Sequence, residues 1–171
     1  MRRPVAIISS FIFLLLAPGI VAGLVPWWIS GWEIRGPLLG ISAFHLLGVA
    51  LIVAGVPMLL DSFARFAVQG LGTPAPVLPT KHLVVSGLYR YVRNPMYVGV
   101  VATVLGQGLL FGNVRLLSYG ILLWVTFHLF VLGYEEPKLR KTFGEEYVMF
   151  CAAVPRWIPR VSPWSGSASA E

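Results

Sequence analysis

Apolar residues gather in four long stretches, and short polar segments separate them. The stretches run over 5–25, 38–60, 96–111 and 116–134. A helix needs roughly 20 apolar residues to cross the hydrocarbon core of a bilayer, and about 17 at the least. The first, second and fourth stretches meet that length; the third is short and leans on its flanks, Tyr97 and Gly112. Arg2 and Arg3 precede the first stretch as they would in a signal peptide. Its length and the poor cleavage site Val21-Ala22-Gly23 favour a span instead. After the fourth stretch, Phe143, Tyr147 and Phe150 recur at helical spacing, which predicts a C-terminal amphipathic helix ended by Pro155. The pattern predicts an all-α integral membrane bundle of about four transmembrane helices plus that helix. The size predicts a single domain over 1–160, with a small, polar and disordered tail over 161–171.

Basic residues set the expected orientation. They collect before the first span, in the long 61–95 connection and after the fourth span, whereas the 26–37 and 112–115 connections carry few. Cytoplasmic loops are rich in Lys and Arg, so both termini are expected in the cytoplasm, in a multi-pass protein. Trp27, Trp28 and Trp32 fit an interfacial belt on the other side. The segment GLGTPAPVLP, 70–79, holds three prolines that exclude regular helix.

Composition agrees with this class. Of the 171 residues, 57% are hydrophobic and only 12% charged, against about 25% charged in a soluble domain. The net charge of +6 would suggest nucleic acid if the basic residues formed one face. They lie between apolar runs instead, so no nucleic-acid partner is expected. The one cysteine, Cys151, has no partner at metal-ligand spacing, and it reads as a packing residue; no metal site is expected.

Two polar clusters interrupt the apolar pattern. In YRYVRNPMYVG, 89–99, Asn94 and Pro95 suit an N-cap and first turn for the third span. That role leaves Tyr89, Arg90, Arg93 and Tyr97 unexplained. At the end of the fourth span, Glu135 and Glu136 stand where a helix C-terminus disfavours carboxylates; Arg140 is placed to offset Glu136, four residues before it. Trp124, His128, Val131 and Glu135 share one helix face. A histidine inside a membrane helix is costly unless it is paired or faces a cavity, which marks His128 as a candidate site residue. On this orientation, Arg90/Arg93 and Glu135/Glu136 lie on the same side. Together they suit a cytosolic molecule with an anionic end and a ribose diol. Gly99, Ala102 and Gly106 form a small-residue face fit for close helix packing, within the chain or between chains; the oligomeric state stays open.

The blocks KHLVVSGLYRYVRNPMYVG and EEPKLRKTFGEEYVMFCAAVPRWIP resemble the isoprenylcysteine carboxyl methyltransferase family and its phospholipid-methyltransferase relatives. The resemblance covers 81–159. It implies a membrane methyltransferase that takes S-adenosyl-L-methionine in a cytosol-facing pocket of its C-terminal half and a lipophilic acceptor from the bilayer. Carried over, the cofactor contacts are Lys81, His82, Leu83 and Val84, then Tyr89, then Asn94, Pro95, Met96 and Tyr97, with Glu135 at the end. Arg93 matches the arginine of the family's Arg-His-Pro motif, whose histidine is Asn94 here. The resemblance also places Val131 where prenylcysteine enzymes carry a substrate-binding arginine, which argues against a prenylcysteine substrate and leaves lipid amines, thiols and small lipophilic acceptors open.

On this reading Arg93 binds the methionyl carboxylate, Glu135 the ribose with Glu136 beside it, and Tyr89 and Tyr97 offer aromatic faces to the sulfonium. His128 faces the acceptor and serves as a base if that acceptor is an amine or thiol. Two competing readings are a membrane reductase of the sterol-reductase type using NADPH, and a non-enzymatic membrane or lipid-binding module. The first needs a larger basic cluster than the sequence holds, and the second leaves the paired glutamates unexplained.

Overall fold

The computed structural model describes residue 12, residues 16–68, residue 83 and residues 85–165. Lys81, His82, Val84, the 70–79 segment, the start of the first stretch and the tail beyond 165 lie outside the described residues. Among those described the chain is helical, with no strand. Helix α1 covers Leu16–Ser30, α2 Ala43–Val68, α3 Pro95–Leu110, α4 Val114–Phe130 and α5 Glu136–Ala153. Two helical runs are long and apolar enough to cross a membrane, Ala43–Arg65 and Val114–Ala153. Their outward faces carry Leu46, Val53, Ile121, Leu122 and Leu129, all exposed. Apolar surface turned outward on this scale is what a lipid-facing protein presents. Helices α1 and α3 are apolar but shorter.

Helix α1 continues past Val25, the sequence boundary, to Ser30. Pro26 lacks an N–H, and the chain accommodates it with a wider turn over Ile20–Leu24 in which the Val25 N–H reaches the Ile20 carbonyl. The carbonyls of Val21 and Ala22 are taken by side chains of other helices. Tyr119 Oη donates to Val21 O at 3.0 Å and Gln107 Nε2 to Ala22 O at 2.7 Å. Gln107 also accepts from the Trp32 indole at 3.2 Å. The proline's missing bond therefore becomes a docking point for α3 and α4 on α1.

Helix α2 starts later than the pattern suggests, at Ala43, because a short 3₁₀ turn over Leu38–Gly40 places Leu39 and Gly40 at positive φ. It also runs past Leu60. The charges there form a pair one helical turn apart, Arg65 to Asp61 at 2.8 Å, which supports the helix rather than ending it.

Helices α2 and α3 pack antiparallel with their backbones in contact. A Cβ on Gly48 would stand 2.7 Å from Gly106 O, and one on Gly106 would stand 2.7 Å from Gly48 O. Gly55 and Gly99 are related in the same way, each 2.8 Å from the other's carbonyl oxygen. The small face of the third stretch is therefore used within the chain at Gly99 and Gly106. Asn113 caps α4 by accepting from the Arg115 and Leu116 N–H groups. The α3–α4 turn meets the α1–α2 connection, where Arg35 N donates to Phe111 O at 3.3 Å. These two short connections share one end of the bundle. The C-terminal ends of α2 and α4, the start of α3 and the C-terminal segment share the other.

The fourth stretch does not end at Tyr134. A second wide turn, Val131–Glu135, carries α4 directly into α5, with the Glu136 N–H on the Val131 carbonyl. Pro137 is the cause, since it cannot donate to the preceding turn. This overturns the argument that Glu135 and Glu136 sit at a helix C-terminus. It also turns Glu135 by about one residue, ~100°, relative to the His128 face. Within α5, Gly144 (φ 54°, ψ −127°) breaks the helical geometry. Tyr147, Phe150 and Val154 are buried against Leu83, Val85 and Trp164, so that face covers the chain's own loop and C-terminal segment.

Candidate functional site

Three segments meet at the end of the bundle opposite the α1–α2 connection: the turn and helix start over 87–97, the α4–α5 junction, and the C-terminal segment after Ala153. The last is stitched to the first through the backbone. Arg93 N donates to Pro155 O at 2.9 Å, Arg160 N to Tyr91 O at 3.0 Å and Trp164 N to Arg90 O at 2.9 Å. Asn94 stands at the N-cap position of α3 but makes no capping bond there; its Nδ2 donates to Arg156 O at 3.2 Å instead. The expectation of a capping role for Asn94 is corrected: it ties the helix start to the C-terminal segment. Arg90 does not join the glutamates. Its Nε donates to Trp164 O at 2.6 Å, which anchors a residue that composition assigns to the tail.

Arg93 and the two glutamates do converge. Arg93 Nη1 donates to Glu136 Oε1 at 3.0 Å and to Cys151 Sγ at 2.8 Å. Arg156 takes the same carboxylate with both arms, Nε to Oε1 at 2.6 Å and Nη2 to Oε2 at 3.0 Å. Burial raises the Glu136 carboxyl, but the Arg156 hydrogen bonds and the charges of Arg93, Arg156 and Arg140 outweigh it, leaving the group below the usual carboxylate range. Glu136 thus pairs with both Arg93 and Arg156 by direct contact, leaving one positive charge in excess, whereas Arg140, the expected partner, acts only through its charge. Cys151, read as a packing residue, also accepts a hydrogen bond from the arginine.

Glu135 turns to the other side. Tyr97 Oη donates to Glu135 Oε2 at 2.9 Å, while Oε1 makes no hydrogen bond among the described residues. The Tyr97 ring lies 4.7 Å from that of Phe127. Tyr89 is buried and hydrogen-bonded to Ser62; burial first, then the Glu135 charge, push its hydroxyl well above the usual tyrosine range. The Arg65 guanidinium lies directly over Gly87, in the space a side chain would fill, so the C-terminal end of α2 holds the 87–90 turn. Pro95 is buried and Met96 packs on the Leu59, Phe63 and Val100 cluster. One donor has no partner: Arg93 Nε is buried without a hydrogen bond among the described residues.

His128 belongs to a neighbouring aromatic group. It stacks on Trp124 with ring centroids 5.3 Å apart, and the Trp157 Nε1–H donates to its Nδ1 at 3.0 Å. Trp157, in the C-terminal segment, is thus a partner of His128. Among the described residues, no three His, Cys, Asp or Glu side chains gather in a metal-binding arrangement.

Sequence reading missed Asp61, Ser62, Arg65, Arg156 and Trp157. The Asp61/Arg65 spacing was a usable signal. Arg156 and Trp157 carried none, because their roles depend on the C-terminal segment turning back.

Residues 43–146 match the profile of a family described as phospholipid methyltransferase. The chain is 39% identical over 80 residues to a protein-S-isoprenylcysteine O-methyltransferase of Schizosaccharomyces pombe, covering 46% of this chain and 34% of that protein. It is 28% identical over 139 residues to protein-S-isoprenylcysteine O-methyltransferase B of Arabidopsis thaliana, covering 80% of this chain and 62% of that one. The chain thus spans from a third to about three-fifths of these relatives' lengths. The family match covers more than half of the chain, including the glycine-paired helices, the 87–97 turn and the Glu135–Glu136 junction, and by it this protein belongs to the phospholipid methyltransferase family.

Proposed function

We propose that this chain is an integral membrane methyltransferase that uses S-adenosyl-L-methionine and methylates a lipophilic acceptor drawn from the bilayer. The observation that carries the reading is the meeting of Arg93 and Tyr97, just before and within the first turn of α3, with Glu136 and Glu135, at the α4–α5 junction. The residues fit the cofactor. Among the described residues Arg93 Nε has no partner, which suits an anionic end, and Glu135 Oε1 makes no hydrogen bond, which suits a hydroxyl. In this reading the bundle crosses the membrane four times, with both termini and the site on the cytoplasmic side. The basic residues of the long connection and C-terminal segment support that orientation.

Bound there, the cofactor supplies an electrophilic methyl group on a sulfonium. The protein's task is alignment and exclusion of water. Arg93 holds the carboxylate end, kept in place by Glu136 and the Pro155 carbonyl. Glu135, oriented by Tyr97, holds the ribose. Tyr89 and Tyr97 present aromatic faces, and Val92 and Val131, next to Arg93 and four residues before Glu135 in the chain, are buried and apolar. Val131 gives an acceptor carboxylate no cationic partner at that position.

Incubation of purified protein with methyl-labelled cofactor and total membrane lipids tests the reading; the expected result is a labelled lipid-soluble product. Arg93→Ala and Glu135→Ala should each weaken cofactor binding in detergent by about 10- to 100-fold, as expected for the loss of a hydrogen bond to a charged group. Unchanged affinity in both variants, or binding of NADPH in place of the methyl donor, refutes it.

A further inference from the structure

The sequence reading has His128 face the acceptor and act as a base if that acceptor is an amine or thiol, but its surroundings give it a different part. An indole N–H donates and cannot accept. Since Trp157 Nε1–H points at His128 Nδ1 over 3.0 Å, that nitrogen holds a lone pair and the ring's proton lies on Nε2. A neutral imidazole in this form has no second lone pair to offer, and a doubly protonated ring would set two N–H groups against each other. The geometry is held from both sides. Trp124 stacks on the ring at an interplanar angle of 21°, and Trp157 tilts against it at 41° with centroids 5.8 Å apart. Trp157 in turn follows Arg156, which is fixed on Glu136 by two hydrogen bonds. The His128 Nε2 edge makes no hydrogen bond among the described residues.

We propose that Trp157 is a positioning residue that locks His128 in its Nε2–H form, so that His128 meets the methyl acceptor as a hydrogen-bond donor and not as a base. This rests on the methyltransferase reading for its use, though not for its geometry. The acceptor then arrives with its lone pair already free of a proton, or loses that proton to another group.

Two measurements test this. First, the protein is labelled with ¹⁵N-histidine and studied by NMR in detergent, with His128→Gln used to identify the resonances of this ring among the three histidines. His128 should carry its proton on Nε2, and Trp157→Phe should abolish that preference. A proton on Nδ1, a doubly protonated ring at neutral pH, or spectra indifferent to Trp157→Phe overturns the proposal, and no turnover is needed to decide it. Second, methyl transfer from labelled cofactor into membrane lipids is compared among variants. His128→Gln keeps an N–H at a similar reach and should retain activity within about 5-fold, whereas His128→Ala should lose about 10- to 100-fold. Equal loss in both would restore the base. Absence of product from the unaltered protein would sink the methyltransferase reading, and with it the donor's use, while the spectra still decide the form of the ring.

Discussion

Replacing Glu136 with Gln keeps the side chain's size and one acceptor but removes the charge that Arg93 and Arg156 share. The Glu136 side chain is 10% exposed and that of Arg93 11%, while Arg156 keeps 28%. Removing one partner of a buried ion pair costs about 3–5 kcal/mol, because the other charge stays buried without compensation. Arg156 can relax toward water, so the lower end applies, about 3 kcal/mol. For a chain of this size each kcal/mol moves the melting temperature by about 2–4 °C, so Glu136→Gln should melt about 6–12 °C lower. Unfolding in detergent, followed by the fluorescence of the six tryptophans, measures this. Glu145→Gln, on an exposed position of α5, is the matched control and should stay within about 1–2 °C. If the two variants melt together, the Arg93–Glu136–Arg156 junction contributes nothing and the account of how the C-terminal segment is held is wrong.

Acid should act through the same group. The folded Glu136 carboxyl lies below its unfolded value, so its contribution is present above the ordinary carboxylate pKa, about 4.3, and is lost as pH falls through the lower folded value. The melting temperature should therefore drop on acidification below about pH 4, with a smaller drop in Glu136→Gln. Gly48→Ala would drive a methyl group to 2.6 Å from the Leu110 backbone nitrogen, and should destabilise by about 1–3 kcal/mol, whereas Gly133→Ala, with nothing within 4 Å, should be tolerated in the same melt. Tyr97→Phe removes the donor to Glu135; titration should show cofactor affinity falling by less than in Glu135→Ala, since the carboxylate remains.

The helical architecture was legible because long apolar runs leave few alternatives, and the third stretch's bounds differ from the observed helix by one residue at each end. The other boundaries moved where local rules and tertiary context compete. Pro26 and Pro137 end neither helix: each is absorbed by a wide turn, and at the first the freed carbonyls of Val21 and Ala22 find donors on α4 and α3. Asp61 and Arg65 looked like the end of an apolar run and instead extend α2 as an ion pair. The convergence of Arg93 with the glutamates could be anticipated, since orientation alone put them on one side. How they divide the work could not. Glu136 is claimed by Arg156, a residue that reads in sequence as one more positive charge. Asn94 looked like a cap because its neighbour is Pro95, but the carbonyl that engages it belongs to residue 156.

If the acceptor is lipophilic, as proposed, the glycine pairs Gly48–Gly106 and Gly55–Gly99 have a consequence for how it gets in. Two rods whose main chains touch at reciprocal notches cannot slide past each other by a single residue, because a side chain would then occupy each notch. That seam is welded, and any parting of the bundle that admits a guest from the surrounding oil has to open along another edge.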